Sequence, residues 1–205
     1  PIDALAAALA AEGLAALPVF VPSLRDADVL AAIEPALRRA GVAAIFLYVG
    51  AEVAITTTLV NLLEDGLTIT RDAAAAMVSL YWLGMLAGRF GAVPLLVRFE
   101  RQKVLAVAAL AAAALCLLAS SAGGVAAAVA ILAVGLFGGP QFPTIFAIAS
   151  ADLEPQARAK AAGWLCTGIV GGGIVPLVYG EVADRFSLAT ALIVPALCFA
   201  CIGLF

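Results

Sequence analysis

The chain contains no histidine, and only 12% of its 205 residues are charged, about half the usual share in globular proteins. Without imidazole, Ser–His dyads, His-ligated zinc and haem-His ligation are all excluded. A net charge of −3 offers no basic surface for nucleic acid, and no such partner is expected. The four cysteines lie inside apolar runs, so no extracellular disulfide framework is expected. Cys198 and Cys201 form C-x-x-C, but in an apolar helix without other ligands they read as packing residues rather than a metal or redox pair.

What remains is overwhelmingly apolar. Hydrophobic residues make up 65% of the chain and the mean hydropathy is +1.15. A water-soluble fold would lack the polar side chains to cover its surface, so the composition specifies an integral membrane protein. A bilayer core about 30 Å thick needs roughly 20 apolar residues in a helix. Six stretches qualify, approximately 42–63, 73–97, 104–122, 125–149, 161–182 and 187–205. Their Ala- and Leu-rich runs show no alternation, and a helix satisfies its own backbone in lipid, so an all-α fold of six crossings is predicted. Residues 1–22, interrupted by Asp3 and Glu12, read as the end of an earlier crossing or as an interfacial amphipathic segment. Residues 23–41 read as a polar linker, with Val29, Leu30, Ile33 and Leu37 at helical spacing. Beginning at Pro1 and stopping within an apolar run, the sequence reads as a fragment of a longer product.

Direction follows from the Lys and Arg distribution. Arg25, Arg38, Arg39, Arg89, Arg98, Arg101, Lys103, Arg158 and Lys160 fall on one side, and only Arg71 and Arg185 on the other. Nine against two places the segment before Val42 and the connections 98–103 and 151–160 in the cytoplasm. A cytoplasmic linker entering six tightly connected crossings resembles the junction between two halves of a twelve-helix transporter.

The residues that hydrocarbon does not tolerate then stand out. Glu52 lies half-way through the first crossing, where an acid costs on the order of 2.5–3.5 kcal/mol on insertion scales. Tyr48 and Thr56, one turn to either side, complete a polar stripe. The stripe is either a substrate or proton site or a structural carboxylate held between helices. In the fourth crossing, Gly138-Gly139-Pro140-Gln141-Phe142-Pro143-Thr144 carries two prolines that remove backbone donors and kink the helix. Gln141 and Thr144 share one face and suit the hydroxyls of a neutral polar ligand, or else tie two helices together. In the fifth, Gly168 and Gly172 form G-x-x-x-G, as do Gly84/Gly88 and Gly135/Gly139, a pattern for close helix packing. Trp164 and Tyr81-Trp82 are flat faces for a sugar ring or packing aromatics. Arg89, near the cytoplasmic end of its crossing, reads as structural or gating.

The segments Phe46 to Val53, Tyr81-Trp82 with Gly88-Arg89-Phe90, Gln141 to Phe146, and Ile169 to Leu177 followed by Gly180 and Ala183-Asp184 together resemble the fucose permease and glucose/galactose transporter group of the major facilitator superfamily. The resemblance covers 41–205 and corresponds to helices seven to twelve, the C-terminal half. It implies sugar uptake coupled to protons or sodium by alternating access, in a bacterial cytoplasmic (inner) membrane. It requires a missing N-terminal six-helix half, and no cofactor. On this reading Glu52, Gln141, Tyr48, Thr56, Asn61, Thr144 and Trp164 are the candidate substrate residues, with Glu52 also the candidate for ion coupling. Arg89, Gly168, Gly172, Pro140 and Pro143 are the gating or structural residues. The competing expectations are a facilitator for another small molecule such as a drug, or a non-transporting half-transporter. An intramembrane enzyme lacks the convergent acids or nucleophile–base pair it would need.

Overall fold

The computed structural model describes residues 41–151 and 155–204, with the backbone alone for 155–160. The expected earlier crossing and linker, residues 1–40, lie outside the described residues. Helix α1 spans Gly41–Leu67, α2 Arg71–Arg98, α3 Arg101–Ser121, α4 Gly124–Gly138 and α5 Gln141–Ala149. After them come α6 Pro155–Thr167, a 3₁₀ turn Gly168–Val170, α7 Gly171–Arg185, α8 Leu188–Ala191 and α9 Ile193–Gly203. The pairs α4–α5, α6–α7 and α8–α9 are each one crossing with an internal break.

Among the described residues five crossings are long and apolar enough to traverse a bilayer: Gly41–Leu67, Arg71–Arg98, Arg101–Ser121, Gly124–Ala149 and Ala161–Arg185. The sixth, Leu188–Gly203, is a shorter apolar helix, about 24 Å long at 1.5 Å per residue. The helices run a few residues past the apolar stretches because the backbone ladder continues into the polar boundary, where Glu64 and Asp65 end α1. The Thr70 side chain caps α2 by accepting from the Ala73 amide, and Asp72 follows in the first turn. Ser187 caps α8 in the same way by accepting from the Thr190 amide at 3.0 Å.

Helix α1 is the hub. It packs against α2, α4, α5, α7 and α9, and Ile45, Tyr48, Ala51, Ala54, Ile55, Leu59 and Leu63 along it are buried. Helix α3 lies against α4 and α9 through Ala108, Ala109, Ala112, Ala113 and Cys116, small side chains that let the axes approach. In contrast, α2 leaves Leu80, Trp82, Leu83, Leu86 and Phe90 exposed, as expected of a crossing that meets lipid or another protein surface.

Two glycine seams set the closest approaches. A Cβ built on Gly88 would fall on the Leu136 carbonyl, one on Gly135 on the Tyr81 carbonyl and one on Gly139 on the Met85 carbonyl. The predicted Gly84/Gly88 and Gly135/Gly139 pairs therefore face each other and join α2 to α4 backbone to backbone. The second seam joins α7 and its preceding turn to α1. Here a Cβ on Gly171 would strike the Phe46 carbonyl and one on Gly168 would lie 2.8 Å from the Val42 carbonyl, whereas Gly172 faces only the Val53 and Val49 side chains at 3.1 and 3.2 Å. The closest pair is thus Gly168/Gly171, with Gly172 beside it. The reason is local. Residues 168–170 form a 3₁₀ turn, whose three residues per turn bring i and i+3 onto one line.

Candidate functional site

The break between α4 and α5 falls at Gly139-Pro140, as the sequence predicts. Pro140 has no amide hydrogen for the Leu136 carbonyl, and Pro143 has none for the Gly139 carbonyl. One side chain replaces a missing donor here, and two others add bonds to carbonyls beside the gap. Arg89 Nε donates to the Gly139 carbonyl at 3.1 Å, Gln141 Nε2 to the Phe137 carbonyl at 3.1 Å, and Thr144 Oγ1 to the Pro140 carbonyl at 2.7 Å. Arg89 comes from another helix, so the bond also fastens α2 to the kink. Gln141 is fully buried and Thr144 nearly so. Each spends a donor on the backbone, and the buried Gln141 Oε1 has no partner.

The second polar group lies on α1. Glu52 is half-buried, and its carboxylate lies within electrostatic reach of Tyr48 and Arg89, and of Tyr81 on α2. Tyr48 is buried, and its hydroxyl makes no hydrogen bond within 3.5 Å although it faces the Glu52 carboxylate. Thr56, Thr57 and Thr58 each donate to the carbonyl four residues earlier, at 2.8, 2.7 and 2.8 Å. This satisfies their donors inside the helix and leaves oxygen lone pairs for an incoming donor. The stripe and the kink meet through aromatics. The Tyr48 ring lies 6.2 Å from that of Phe142 on α5, and Phe142 stacks on Phe146 at 6.4 Å.

The structure therefore brings Tyr48, Glu52, Thr56, Arg89, Gln141 and Thr144 into one region around the α1–α4–α5 junction. It sets two candidates apart. Asn61 is two and a half turns further along α1, where its Oδ1 accepts from Arg71 at 3.2 Å, beside the Arg71–Glu64 pair at 3.4 Å. Trp164 is eight residues before Gly172, which is level with Val49 and Val53, so it lies about 12 Å toward the basic side. Its buried indole N–H has no partner. Sequence reasoning missed the link from Tyr81 to Glu52 and the bond from Arg89 to the kink. The first joins two helices and leaves no local trace. The second was foreshadowed by Pro143, which announces an orphaned carbonyl at Gly139. Cys198 is buried and Cys201 exposed, which fits packing rather than a paired thiol site.

Chemically the region is rich in acceptors, namely the Glu52 carboxylate, Gln141 Oε1 and the threonine oxygens. The Tyr48 O–H is a free donor among them. That is the complement of a small ligand carrying several hydroxyls.

Apolar crossings joined by short connections, around a central α1 with a proline-broken partner beside it, form an all-α membrane bundle with the fold of half a major facilitator protein. Comparison with known proteins gives the relatives. No family model matches the chain. Its fold matches a crystal structure of the Escherichia coli fucose:proton symporter with a TM-score of 0.80 at 33% identity, over 91% of this chain and 49% of that one. A crystal structure of a major facilitator superfamily transporter, FucP, in the outward conformation matches with a TM-score of 0.79 at 32% identity, over 91% and 48%. The chain is 36% identical over 167 residues to a glucose/galactose transporter of Brucella abortus, covering 80% of this chain and 40% of that protein. It is 37% identical over 169 residues to the L-fucose-proton symporter of E. coli, covering 82% and 38%. The chain groups with the fucose and glucose/galactose transporters of the major facilitator superfamily and spans about 40% of the length of these relatives. Those relatives are transporters, not enzymes.

Proposed function

We propose that these residues form the C-terminal half of a secondary transporter. It carries a hexose or deoxyhexose across the bacterial cytoplasmic membrane together with a proton or sodium ion. In this reading residues 1–22 end the sixth crossing of the intact protein, 23–41 link its halves, and 42–205 are crossings seven to twelve. The relatives' names support the substrate class. The observation that carries the reading within this chain is Glu52, an acid held half-buried at mid-crossing beside a buried hydroxyl with no partner. Lipid penalises such a group by several kcal/mol unless a protein cavity receives it.

The mechanism follows from the free valences. Sugar hydroxyls donate to Glu52, to the Thr56 oxygen and to Gln141 Oε1, while the Tyr48 hydroxyl donates to a sugar oxygen. Thr144 holds the kink that presents Gln141, and Asn61 and Trp164 flank the approach from either end. Glu52 carries the coupling charge, with Arg89 as the cation whose field reaches it. The half rocks against its partner half around this midplane region, exposing it to each side in turn.

The test is uptake by the intact protein in proteoliposomes, with proton and sodium gradients imposed separately. Glu52→Gln is expected to lower gradient-driven uptake by about tenfold or more, the loss of one charge-assisted contact, while sugar counterflow persists. Unchanged uptake together with unchanged sugar affinity would make Glu52 a packing carboxylate. No uptake of any hexose or deoxyhexose under either gradient would remove the reading altogether.

A further inference from the structure

A groove of about 490 Å³ lies between α2, α3 and the α4–α5 kink, away from Glu52. Its walls are almost wholly apolar, and its geometry has a cause in the sequence. Helices α2 and α3 are joined by only Phe99 and Glu100 and touch little along their length. The α2 face turned into the gap carries Ala87, Gly88, Gly91 and Ala92, too small to close it. At Gly91 a built Cβ would meet nothing within 4 Å. From Gly88 to Phe99 the groove follows eleven residues of helix, about 16 Å, and half of a bilayer core is about 15 Å. Its deep end therefore reaches the midplane at Gly88 and Pro140, and its mouth opens at the surface.

The mouth is basic. Lys103 lines it, and Arg98 and Arg101 stand beside it. Among the described residues the one acid there is Glu100, which pairs with Lys103 at 3.1 Å while both side chains stay about 70% exposed. Arg98 lies over the Phe99 ring at 5.9 Å. Three cations against one anion at the end of an apolar slot one leaflet long match one kind of occupant. We infer that this groove seats an acyl chain of an anionic phospholipid from the basic-side leaflet, with its phosphate held at Lys103, Arg98 and Arg101. A second protein helix would not need the cationic end, and a zwitterionic lipid would gain little from it. The seat lies behind the Gly88–Leu136 contact and Pro140, so a bound chain packs on the back of the kink.

Native mass spectrometry of the intact, delipidated protein tests this, with phosphatidylglycerol and phosphatidylethanolamine of identical acyl chains titrated separately. Phosphatidylglycerol is expected to be retained at lower concentration than phosphatidylethanolamine. Gly91→Phe, whose Cβ would meet nothing within 4 Å, puts a ring into the slot and should abolish that preference. Lys103→Glu changes two units of charge and should weaken phosphatidylglycerol binding about 25-fold, at roughly fivefold per unit. Val125→Phe, exposed at the other end of the bilayer, should leave binding unchanged. Equal retention of the two lipids, or undiminished phosphatidylglycerol on both Gly91→Phe and Lys103→Glu, overturns the proposal. So does Gly91→Cys forming a disulfide-linked dimer in place of lipid binding. Should Gly91→Phe fail to fold, Lys103→Glu at its exposed position decides alone.

Discussion

Arg89 and Pro143 should behave as a coupled pair although neither touches the other's side chain. Pro143 deprives the Gly139 carbonyl of its helical donor, and Arg89 Nε supplies a replacement at 3.1 Å. Arg89→Ala leaves that carbonyl without a partner. Hydrogen bonds to charged groups are worth about 1.5–3 kcal/mol in soluble proteins, and bonds between membrane helices average about 0.6 with a maximum near 1.7. A charged donor on a partly buried carbonyl belongs toward the upper end of the membrane range, so Arg89→Ala should cost about 1–1.5 kcal/mol. Pro143→Ala returns an amide hydrogen four residues after Gly139 and makes the guanidinium redundant. In the double variant the Arg89 penalty should therefore shrink by about 1 kcal/mol. The assay is reversible unfolding of the intact protein in mixed micelles by titration with a denaturing detergent, for all four corners of the cycle. If the two substitutions add within about 0.3–0.5 kcal/mol, the donor-replacement argument is wrong.

The glycine seams predict position-specific intolerance. Gly88→Ala and Gly171→Ala should each destabilise by about 1–3 kcal/mol through backbone collision, whereas Gly173→Ala, with nothing near its Cβ, should be neutral or gain a few tenths in the same unfolding assay. Tyr48→Phe removes a buried hydroxyl that has no partner. It should leave stability unchanged or raise it by about 1 kcal/mol while lowering sugar affinity, measured by substrate-dependent quenching of tryptophan fluorescence. Equal sugar affinity in the two proteins would take Tyr48 out of the binding site. Phe142→Ala should loosen α5 from α1, costing about 3 kcal/mol as a large-to-small change, and should lower uptake with it.

Much of the fold was legible because lipid imposes a simple grammar. A crossing must be helical, about 20 residues long and nearly free of charge. The helix existence and the break at Gly139-Pro140 follow from that grammar and from proline's missing hydrogen. The register of the Gly168 seam did not follow. A 3₁₀ turn shifts the glycine pairing from every fourth residue to every third, and nothing in the glycine spacing says which ladder the backbone adopts. Glu52 was conspicuous because its cost in hydrocarbon is large. Gln141 was equally visible, but not that its amide serves the Phe137 carbonyl, since that depends on the rotamer the side chain takes at the kink. Partners on separate helices, such as Tyr48 and Phe142, are invisible to any periodicity within one segment.

The crossing split at Gly139-Pro140 has divided loyalties. Its outer segment, α4, is clamped to α2 by interlocked glycines and lies along α3 and α1, while its inner segment, α5, leaves α2 and packs on α1 through the rings of Phe142 and Tyr48. A single rigid rod would have to follow both neighbours at once. Two rods with a joint between them let each take its own line, and the guanidinium of Arg89 fastens the end of the outer one to α2 at the joint itself.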